Sequence, residues 1–398
     1  MQTTTKEENA CKSCFSKNVT IFHRLENLPV NSCLLFDNQD EARNYPRGEL
    51  VLGFCRDCGF IGNLRFSSQL ARYTEGYEEQ QSFSPRFNAF AKSLATKLIN
   101  RYDLHKKTIV EIGCGKGDFL VMLCDLGNNQ GIGIDPTYVP GRLDEVALKN
   151  VRFIRDFYSE KHSDCTGDMV CSRHALEHIP DTGAFMETVR RAIGNKTNTV
   201  VFFELPDVER VLHECAFWDI YYEHCSYFTL GSLARLFRRA GFEVTDLEKD
   251  FDGQYLLLEA KPAVNGDHSA PLKEEESVEE LSKAVAKFQS NYAETVHRWK
   301  RKIESIRESG RRCVIWGSSS KCVAFLNTIG IRDEIEFIVD INPHRQGKYL
   351  PGSGKLIVAP GFLQEYRPDV VIAMNPIYLD EIRNDLNSLG LNPELTTV

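Results

Sequence analysis

The sequence has no long hydrophobic run and no surplus of positive charge, and these two absences exclude several classes of protein. No apolar stretch of the 398-residue chain approaches the roughly 20 residues that a membrane-spanning helix needs. The opening MQTTTKEENA is polar and lacks the apolar segment of a signal peptide, so we expect a cytoplasmic protein with no membrane partner. The net charge of −8 argues against a nucleic-acid polymer as partner, because phosphate binding needs positive charge.

Internal repeats and low-complexity segments are also absent, so separate domains have to account for the length of the chain. A chain of 398 residues is too long for one ordinary hydrophobic core. We expect a small metal-binding module at 1–66, an α/β domain at 67–264, a linker with a long helix at 265–309, and a second α/β domain at 310–398.

Thirteen cysteines are better explained in a reducing compartment as metal ligands or small buried residues than as disulfides. Two pairs have the spacing of zinc knuckles: Cys11 with Cys14 in CKSC, and Cys55 with Cys58 in CRDC. Two such pairs can give a structural zinc ion four thiolate ligands. The stretch between them is longer than in the commonest zinc ribbons, so Cys33 or His23 could replace one ligand. The alternative is two unrelated pairs of reduced cysteines.

Strand-like and helical segments alternate through the middle of the chain. KTIVEIGCG predicts a strand that enters a turn, GDFLVMLCDLG a helix, and QGIGID a second strand. This alternation predicts right-handed βαβ units and a parallel sheet. RCVIWGSSSKCVAFLNTIG, IEFIVDINP and PDVVIAMNP repeat the rhythm near the C-terminus. The predicted fold class is therefore α/β, with a Rossmann-like middle domain, a small zinc module before it and a Rossmann-like domain after it.

The stretch VEIGCGKGDF places three glycines between a strand and a helix: Gly113, Gly115 and Gly117. A dinucleotide-binding loop has the spacing G-x-G-x-x-G. In this sequence the third glycine comes one residue early, as in the S-adenosylmethionine loop of class I methyltransferases. Glu111 precedes the loop, and Asp135 ends the next strand, where a carboxylate can accept both ribose hydroxyls. We expect these five residues to bind S-adenosylmethionine; the alternative is a plain tight turn.

Two later segments add candidates for the same site. RDFY resembles the segment beside the adenine in these enzymes, and CSRHALEHIPD follows a strand at the edge that would hold the methionine end of the cofactor. The additional predicted cofactor contacts are Asp156, Phe157 and Arg173. His174 and His178 are candidates for the reaction cavity or are structural histidines, and Glu177 is expected to be solvated or capping.

The stretch YYEHCSYFT places Tyr221, Glu223 and His224 side by side. A histidine with a pKa near neutral can take a proton from a carbon beside a carbonyl, a glutamate can orient it, and a tyrosine can donate to an enolate oxygen. The alternative is an aromatic wall without chemistry.

The order of these features resembles the three-domain S-adenosylmethionine-dependent sugar C-methyltransferases of deoxysugar biosynthesis, over nearly the whole chain. The resemblance implies methylation of the carbon beside the ketone of a nucleotide-linked 4-keto-deoxysugar, usually C-3. It implies His224 as the general base, with Tyr221 and Glu223 in the same motif, and His178 is the other candidate base. It also implies an active-site tyrosine in RYTEGYEEQQSFSP, where Tyr77 is the nearer match and Tyr73 the next.

The C-terminal domain carries the last candidates. WGSSSK resembles the family's YGA-x-x-K loop, which implies a part in holding the sugar nucleotide for Ser319, Lys321 and Asn375. FDGQYLLLEA stands where these enzymes usually show Gly-Gly-Ser, so the identity of the sugar stays open. Two alternatives also stay open: an O- or N-methyltransferase using the same base, and a binding scaffold for zinc and a nucleotide sugar. A dehydrogenase is disfavoured because the GSSSK loop of the C-terminal domain has one glycine, whereas a dinucleotide-binding loop has three.

Overall fold

The computed structural model describes residues 10–74, 76–143, 148–264, 270–331 and 333–398, which form three sheets and the helices around them. The strands are β1 Val19–Pro29, β2 Arg47–Cys55, β3 Ile61–Asn63, β4 Thr108–Ile112, β5 Gln130–Ile134, β6 Val151–Ile154, β7 Met169–Arg173, β8 Val200–Pro206, β9 Ser226–Tyr227, β10 Phe242–Asp250, β11 Tyr255–Pro262, β12 Cys313–Trp316, β13 Phe337–Val339, β14 Leu356–Val358, β15 Val370–Ala373 and β16 Glu394–Thr397. The α-helices are α1 Gln39–Arg43, α2 Pro85–Tyr102, α3 Asp118–Gly127, α4 Thr182–Ile193, α5 Val208–Glu214, α6 Leu230–Arg239, α7 Val278–Glu308, α8 Ser320–Ile329, α9 Leu363–Tyr366 and α10 Leu379–Ser388.

The N-terminal module is built on an antiparallel sheet of strand order β1-β2-β3-β9. Its first three strands come from the predicted module, but β9 comes from the YYEHCSYFT segment of the middle domain. Tyr227 pairs with Ile61, and Ser226 pairs with Gly62. The segment that carries His224 is therefore fixed to the N-terminal module by backbone pairing.

The middle domain contains a seven-stranded sheet of order β10-β11-β8-β7-β4-β5-β6. Strands β4 to β8 are mutually parallel, whereas β11 pairs antiparallel with both β8 and β10. This arrangement confirms the predicted Rossmann-like α/β fold class. Parallel strands end at one edge of the sheet, and ligands of open α/β sheets bind at that carboxyl edge.

Helix α2 of this domain begins at Pro85, and the residues around its first turn explain why. Ser84 caps the helix by accepting a hydrogen bond from the Phe87 amide, and proline suits the first helical position. Residues Phe87, Ala91 and Leu94 recur at spacings of three and four and are buried, as the amphipathic pattern predicts.

The long helix α7 joins the N-terminal module to the C-terminal domain. A capping box between Ser277 and Glu280 starts it, and its apolar face buries Phe288 and Trp299. Those side chains share one core with Phe22 of β1 and Phe325 of α8. Shared apolar burial of this kind favours one rigid arrangement of the three parts.

The C-terminal domain has a wholly parallel sheet of order β14-β13-β12-β15-β16. It confirms the predicted second α/β domain. The first residues of the predicted linker, 265–269, lie outside the described residues, and the domain boundaries themselves stay predictions. Within the described ranges, no helix is long and apolar enough to cross a membrane.

Candidate active site

A cavity of about 820 Å³ opens at the carboxyl edge of the seven-stranded sheet and is lined on another side by the C-terminal domain. It brings together most of the predicted site residues, although they are far apart in the sequence. Those lining it are Tyr77, Glu111, Gly113, Gly115, Asp135, Asp156, Phe157, Arg173, His178, Tyr221, His224, Ser319, Lys321 and Asn375. Gly117, the N-cap of α3, and Glu223 lie outside the lining.

The three loop glycines all have positive φ, at 72° for Gly113, 55° for Gly115 and 95° for Gly117. A Cβ atom on Gly113 would lie 2.3 Å from the Cβ of Ala175. A side chain there would both strain the backbone and collide with the next strand-end loop. Glycine is therefore required for the tight path that brings the backbone to the cavity.

The carboxylate of Asp135 holds this loop in place. Its Oδ2 accepts a hydrogen bond of 2.8 Å from the Gly115 amide, and its Oδ1 accepts from the Thr137 amide and hydroxyl at 2.7 Å each. A buried carboxylate has about four lone-pair sites, so capacity to accept a ribose hydroxyl remains. The residue and its position fit the predicted cofactor.

Glu111 presents a buried acidic group to the same cavity. Its side chain is 2% exposed, and its Oε2 has no hydrogen-bond partner among the described residues. Burial raises the pKa of Glu111 to about 8, although the positive charge of Arg173 opposes the shift. A buried carboxylate oxygen without a partner fits a cationic group, such as the ammonium of S-adenosylmethionine.

Arg173 lines the cavity, but its guanidinium is held by another side chain. It donates to the Glu204 carboxylate at 2.8 and 2.9 Å, and it stacks 4.1 Å from the ring centre of Phe119. Although burial opposes it, the charges of Arg173 and His174 lower the pKa of Glu204 to about 2. Because these contacts occupy the guanidinium, they favour a role for Arg173 in supporting the site and not in binding the cofactor directly.

Phe157 offers the predicted flat surface for an adenine. Its side chain is 59% exposed at the rim of the cavity, which is unusual for a phenylalanine. The neighbouring Asp156 forms an ion pair with Lys161. A base stacked on the Phe157 ring would cover this apolar surface.

His224 lies in a cluster of aromatic rings beside the cofactor loop. Its ring centre is 4.2 Å from that of Tyr221 and 4.8 Å from that of His178. Burial lowers the pKa of His224 well below 6.5, and the charges of His178, His174 and Lys321 add to the effect. The imidazole is therefore uncharged and can accept a proton, but this lowered pKa makes it a weaker base than the near-neutral histidine that the sequence predicts.

Tyrosine hydroxyls surround the two histidines. Tyr73, the second choice from the sequence, contacts His178, with 2.9 Å between its hydroxyl and Nδ1. Tyr77, the first choice, also lines the cavity, and its ring lies 5.3 Å from that of Tyr73. Burial raises the pKa of Tyr73, Tyr77 and Tyr221 well above 10, so each keeps its hydrogen and can donate it.

Glu223 makes contacts that differ from the predicted ones. Its fully buried carboxylate accepts hydrogen bonds of 3.1 Å from the Asn31 side chain and from the Ser32 amide. Asn31 in turn accepts from the Tyr45 hydroxyl at 2.9 Å. Through these contacts Glu223 joins the His224 segment to the N-terminal module. The sequence instead predicts Glu223 as the residue that orients His224.

Glu177 was expected to be solvated or capping, and that expectation is wrong. It follows β7 in a short 3₁₀ turn, is 2% exposed and lines the cavity. The Nδ1 atom of His174 is 3.7 Å from its carboxylate, and the Nε2 atom of His174 is 2.7 Å from that of Glu204. Burial alone would lower the pKa of His174, but the two carboxylates raise it to about 9. His174 was already a candidate from the sequence and lies three residues before Glu177, whereas only the fold brings the Glu204 carboxylate to the same place.

The C-terminal domain contributes Lys321 to the cavity through the first turn of α8. Its ammonium forms an ion pair with Asp219, which also pairs with Arg210. Ser319 precedes α8 at its N-cap, and the Asn375 and Gln254 side chains exchange hydrogen bonds of 2.9 and 3.0 Å. The three predicted substrate contacts thus all line the cavity and all come from the C-terminal domain.

The two cysteine pairs meet in the N-terminal module, where all four sulfur atoms lie within 4.8 Å of one another. The Sγ atoms of Cys11 and Cys58 are 3.6 Å apart, and those of Cys14 and Cys55 are 3.5 Å apart. Tetrahedral zinc with Zn–S bonds of about 2.3 Å places its sulfur atoms roughly 3.8 Å apart, so the four residues fit zinc.

The two alternative zinc ligands lie elsewhere. The Cys33 sulfur is 3.3 Å from the Ser320 hydroxyl at the cavity. The His23 ring packs against Tyr292, with 4.4 Å between the ring centres. Neither residue is therefore needed to complete a four-sulfur site.

Two family models match this chain. One, described as a methyltransferase domain, matches residues 86–247, and the other, described as a C-methyltransferase C-terminal domain, matches residues 259–391. A curated relative, the C-methyltransferase NovU of Streptomyces niveus, is 28% identical over 294 residues, which cover 69% of this chain and 67% of NovU.

Solved structures resemble a smaller part of the chain. The 1,6-didemethyltoxoflavin-N1-methyltransferase of Burkholderia thailandensis, with bound S-adenosylhomocysteine, is 18% identical with a TM-score of 0.35, covering 44% of this chain and 79% of that one. The magnesium protoporphyrin IX methyltransferase of Synechocystis is 13% identical with a TM-score of 0.35, covering 45% and 84% respectively.

Proposed function

This chain belongs to the S-adenosylmethionine-dependent C-methyltransferases, and on that premise we propose that it methylates C-3 of a nucleotide-linked 4-keto-deoxysugar. One observation carries the proposal: the ring centre of His224 lies 4.2 Å from that of Tyr221 and 4.8 Å from that of His178, in the cavity that also contains the cofactor loop. A base at this place suits a substrate that must lose a proton from carbon before it can accept a methyl group.

His224 acts as the general base. The proton to be removed sits on the carbon next to the ketone, where its loss leaves a negative charge shared with the ketone oxygen. Because the His224 ring is buried among other rings, it takes this proton without competition from bulk water. His178, whose Nδ1 is held by Tyr73, stands beside it and is the second candidate for the same role.

Tyrosine hydroxyls stabilise the charge that develops on the ketone oxygen. Tyr221 and Tyr77 both line the cavity and both keep their hydrogen, so each can donate to an enolate oxygen. Bound S-adenosylmethionine supplies the electrophilic methyl group for the carbon. Glu111, Asp135 and the glycine loop would hold that cofactor, and Phe157 would offer a surface for its base.

The C-terminal domain binds the nucleotide part of the substrate. Lys321 and the amides at the start of α8 present positive charge and hydrogen-bond donors to the cavity, which suits a diphosphate. Asn375, from the same domain, offers a further polar contact in the cavity. The four cysteines would hold a zinc ion, and its role would be structural because four protein ligands leave no open position for a substrate.

Product analysis tests this function. Purified protein is mixed with S-adenosylmethionine and a nucleotide-linked 4-keto-6-deoxysugar, mass spectrometry detects a gain of one methyl group, and carbon–proton correlation locates it. We expect a methyl group on C-3. His224→Gln should lose at least about 100-fold in rate, in the range that a general base contributes, and the exposed His105→Gln should keep the wild-type rate.

Other products would overturn parts of the proposal. A methyl group on oxygen or nitrogen would contradict the enolate step. Binding of S-adenosylhomocysteine without turnover of any ketosugar would contradict the substrate class, and absence of all cofactor binding would favour a binding scaffold.

A further inference from the structure

Three metal-binding side chains meet at one point of the active-site cavity. One ligand atom each from Glu177, His178 and His224 lie within 4.8 Å of one another. Glu177 and His178 follow β7, whereas His224 comes from the segment that pairs with the N-terminal module. We propose that these three residues bind one divalent transition-metal ion, such as zinc, cobalt or nickel, and that the bound ion keeps His224 from accepting a proton.

His178 is oriented as metal-binding histidines are. Its Nδ1 is 3.2 Å from the backbone carbonyl of Glu223 and 2.9 Å from the hydroxyl of Tyr73. A carbonyl oxygen can only accept, so Nδ1 carries a hydrogen, and in the neutral ring the lone pair lies on Nε2. Metal-binding histidines usually donate their other ring hydrogen to a carbonyl or carboxylate in this way, which fixes the ring.

Glu177 gives an independent indication of a cation. Glu177 is 2% exposed, its Oε1 is 3.7 Å from Nδ1 of His174, and its Oε2 has no hydrogen-bond partner within the described parts of the chain. A buried carboxylate oxygen without a partner is costly, and such groups call for an explanation. A positive ion between Glu177 and the two imidazoles would give this oxygen the partner that it lacks.

The donor set selects the class of metal. Two imidazole nitrogens and one carboxylate oxygen suit zinc and its first-row neighbours better than calcium or magnesium, which prefer oxygen ligands alone. Bonds of about 2.0–2.2 Å require the donor atoms to approach one another by roughly 1 Å. Because the three side chains line a cavity, further coordination positions face open space.

The ion would act on the reaction through His224. A lone pair bound to a metal cannot take a proton, so metal and substrate proton exclude each other at this ring. This consequence rests on the proposed function, whereas the binding itself does not. We therefore expect the ion to inhibit methylation by competing with the ketosugar and not with S-adenosylmethionine.

Cobalt titration of the zinc-loaded full chain, without an affinity tag, tests the site. We expect one cobalt ion per chain beyond the zinc, with the weak visible absorption of nitrogen and oxygen ligands and without intense thiolate-to-cobalt bands. His178→Ala and Glu177→Gln should each weaken cobalt binding by about 10-fold or more, since even outer partners of a metal site are worth that much. The exposed His105→Ala should bind as the wild type does.

Two controls separate this result from misfolding. Each variant should keep its zinc content and its affinity for S-adenosylhomocysteine. Unchanged cobalt binding in the His178→Ala, His224→Ala double variant would identify an adventitious ion only and would overturn the site.

Steady-state kinetics test the effect of the ion. Inhibition that rising ketosugar relieves supports the competition at His224. Tight cobalt binding with undiminished turnover would overturn the proposed effect and would also contradict His224 as the base. If the enzyme did not turn over the ketosugar even when no cobalt is present, the proposed function would be contradicted. The cobalt-binding result would remain valid.

Discussion

We expect Lys116, between the second and third glycines of the cofactor loop, to anchor that loop to the segment that carries Tyr77 of the active site. It is 2% exposed, and its ammonium donates to the Tyr77 carbonyl at 2.8 Å, the Thr137 carbonyl at 3.0 Å and the Glu79 carboxylate at 3.3 Å. The perturbation that isolates this role is Lys116→Met, which shortens the unbranched side chain by one atom and removes its charge and its donors.

The structure sets the size of the effect. Two carbonyls would lose their donor, and each buried group left unpaired costs about 1–3 kcal/mol. The ion pair with Glu79 adds little, because the Glu79 side chain is 32% exposed and solvent screens it. We expect the free energy of unfolding to fall by about 2–6 kcal/mol, and the affinity for S-adenosylhomocysteine to fall with it because the loop loses its anchor.

Urea unfolding and calorimetry measure these two quantities. The matched control is Lys92→Met on the exposed face of α2, for which we expect a change within about 0.5 kcal/mol. If Lys116→Met were as stable as Lys92→Met and bound S-adenosylhomocysteine equally well, Lys116 could not be the link between the loop and Tyr77.

Three further predictions concern the loop, the buried acid and the metal module. Gly113→Ala should lose about 2–4 kcal/mol of stability and most cofactor affinity, because φ is 72° and the new Cβ would lie 2.3 Å from Ala175; unchanged calorimetry would contradict this. Burial raises the folded-state pKa of Glu111 to about 8, so the native chain holds the extra proton and stability should fall as pH rises from about 4.5 to 8. The free energy of unfolding, measured with urea across that pH range, should change less with pH for Glu111→Gln than for the wild type. The same pH dependence in both proteins would refute the raised pKa of Glu111. Chelation of zinc should lower the melting temperature, and Cys55→Ser should abolish stoichiometric zinc by elemental analysis, whereas Cys33→Ser should retain it.

Local sequence signals predicted the parts of the site that one short segment encodes. The glycine loop with Asp135 and the two cysteine pairs each depend on the spacing of a few residues around one turn, so their chemistry can be inferred without the fold. The alternation of apolar strands and helices likewise predicted both α/β domains, because period and length distinguish the two kinds of segment.

Long-range contacts account for what the sequence did not predict. The pairing of Tyr227 with Ile61 joins segments more than 160 positions apart, and no local pattern encodes it. Glu177 looked like a surface residue because a glutamate in a helical turn is usually solvated. Glu223 looked like the partner of His224 because it precedes it in the chain, yet its carboxylate contacts Asn31 and Ser32.

Exchange of the substrate's C-3 proton with deuterated water tests the central claim most directly. The protein, saturated with S-adenosylhomocysteine so that no methyl group can be transferred, is mixed in D₂O with the nucleotide-linked 4-keto-6-deoxysugar, and proton NMR follows the C-3 signal. We expect exchange faster than in buffer, slowed at least about 100-fold by His224→Gln and unchanged by His105→Gln. Absence of exchange in the wild type, or equal exchange in His224→Gln, would contradict His224 as the residue that takes the proton from carbon.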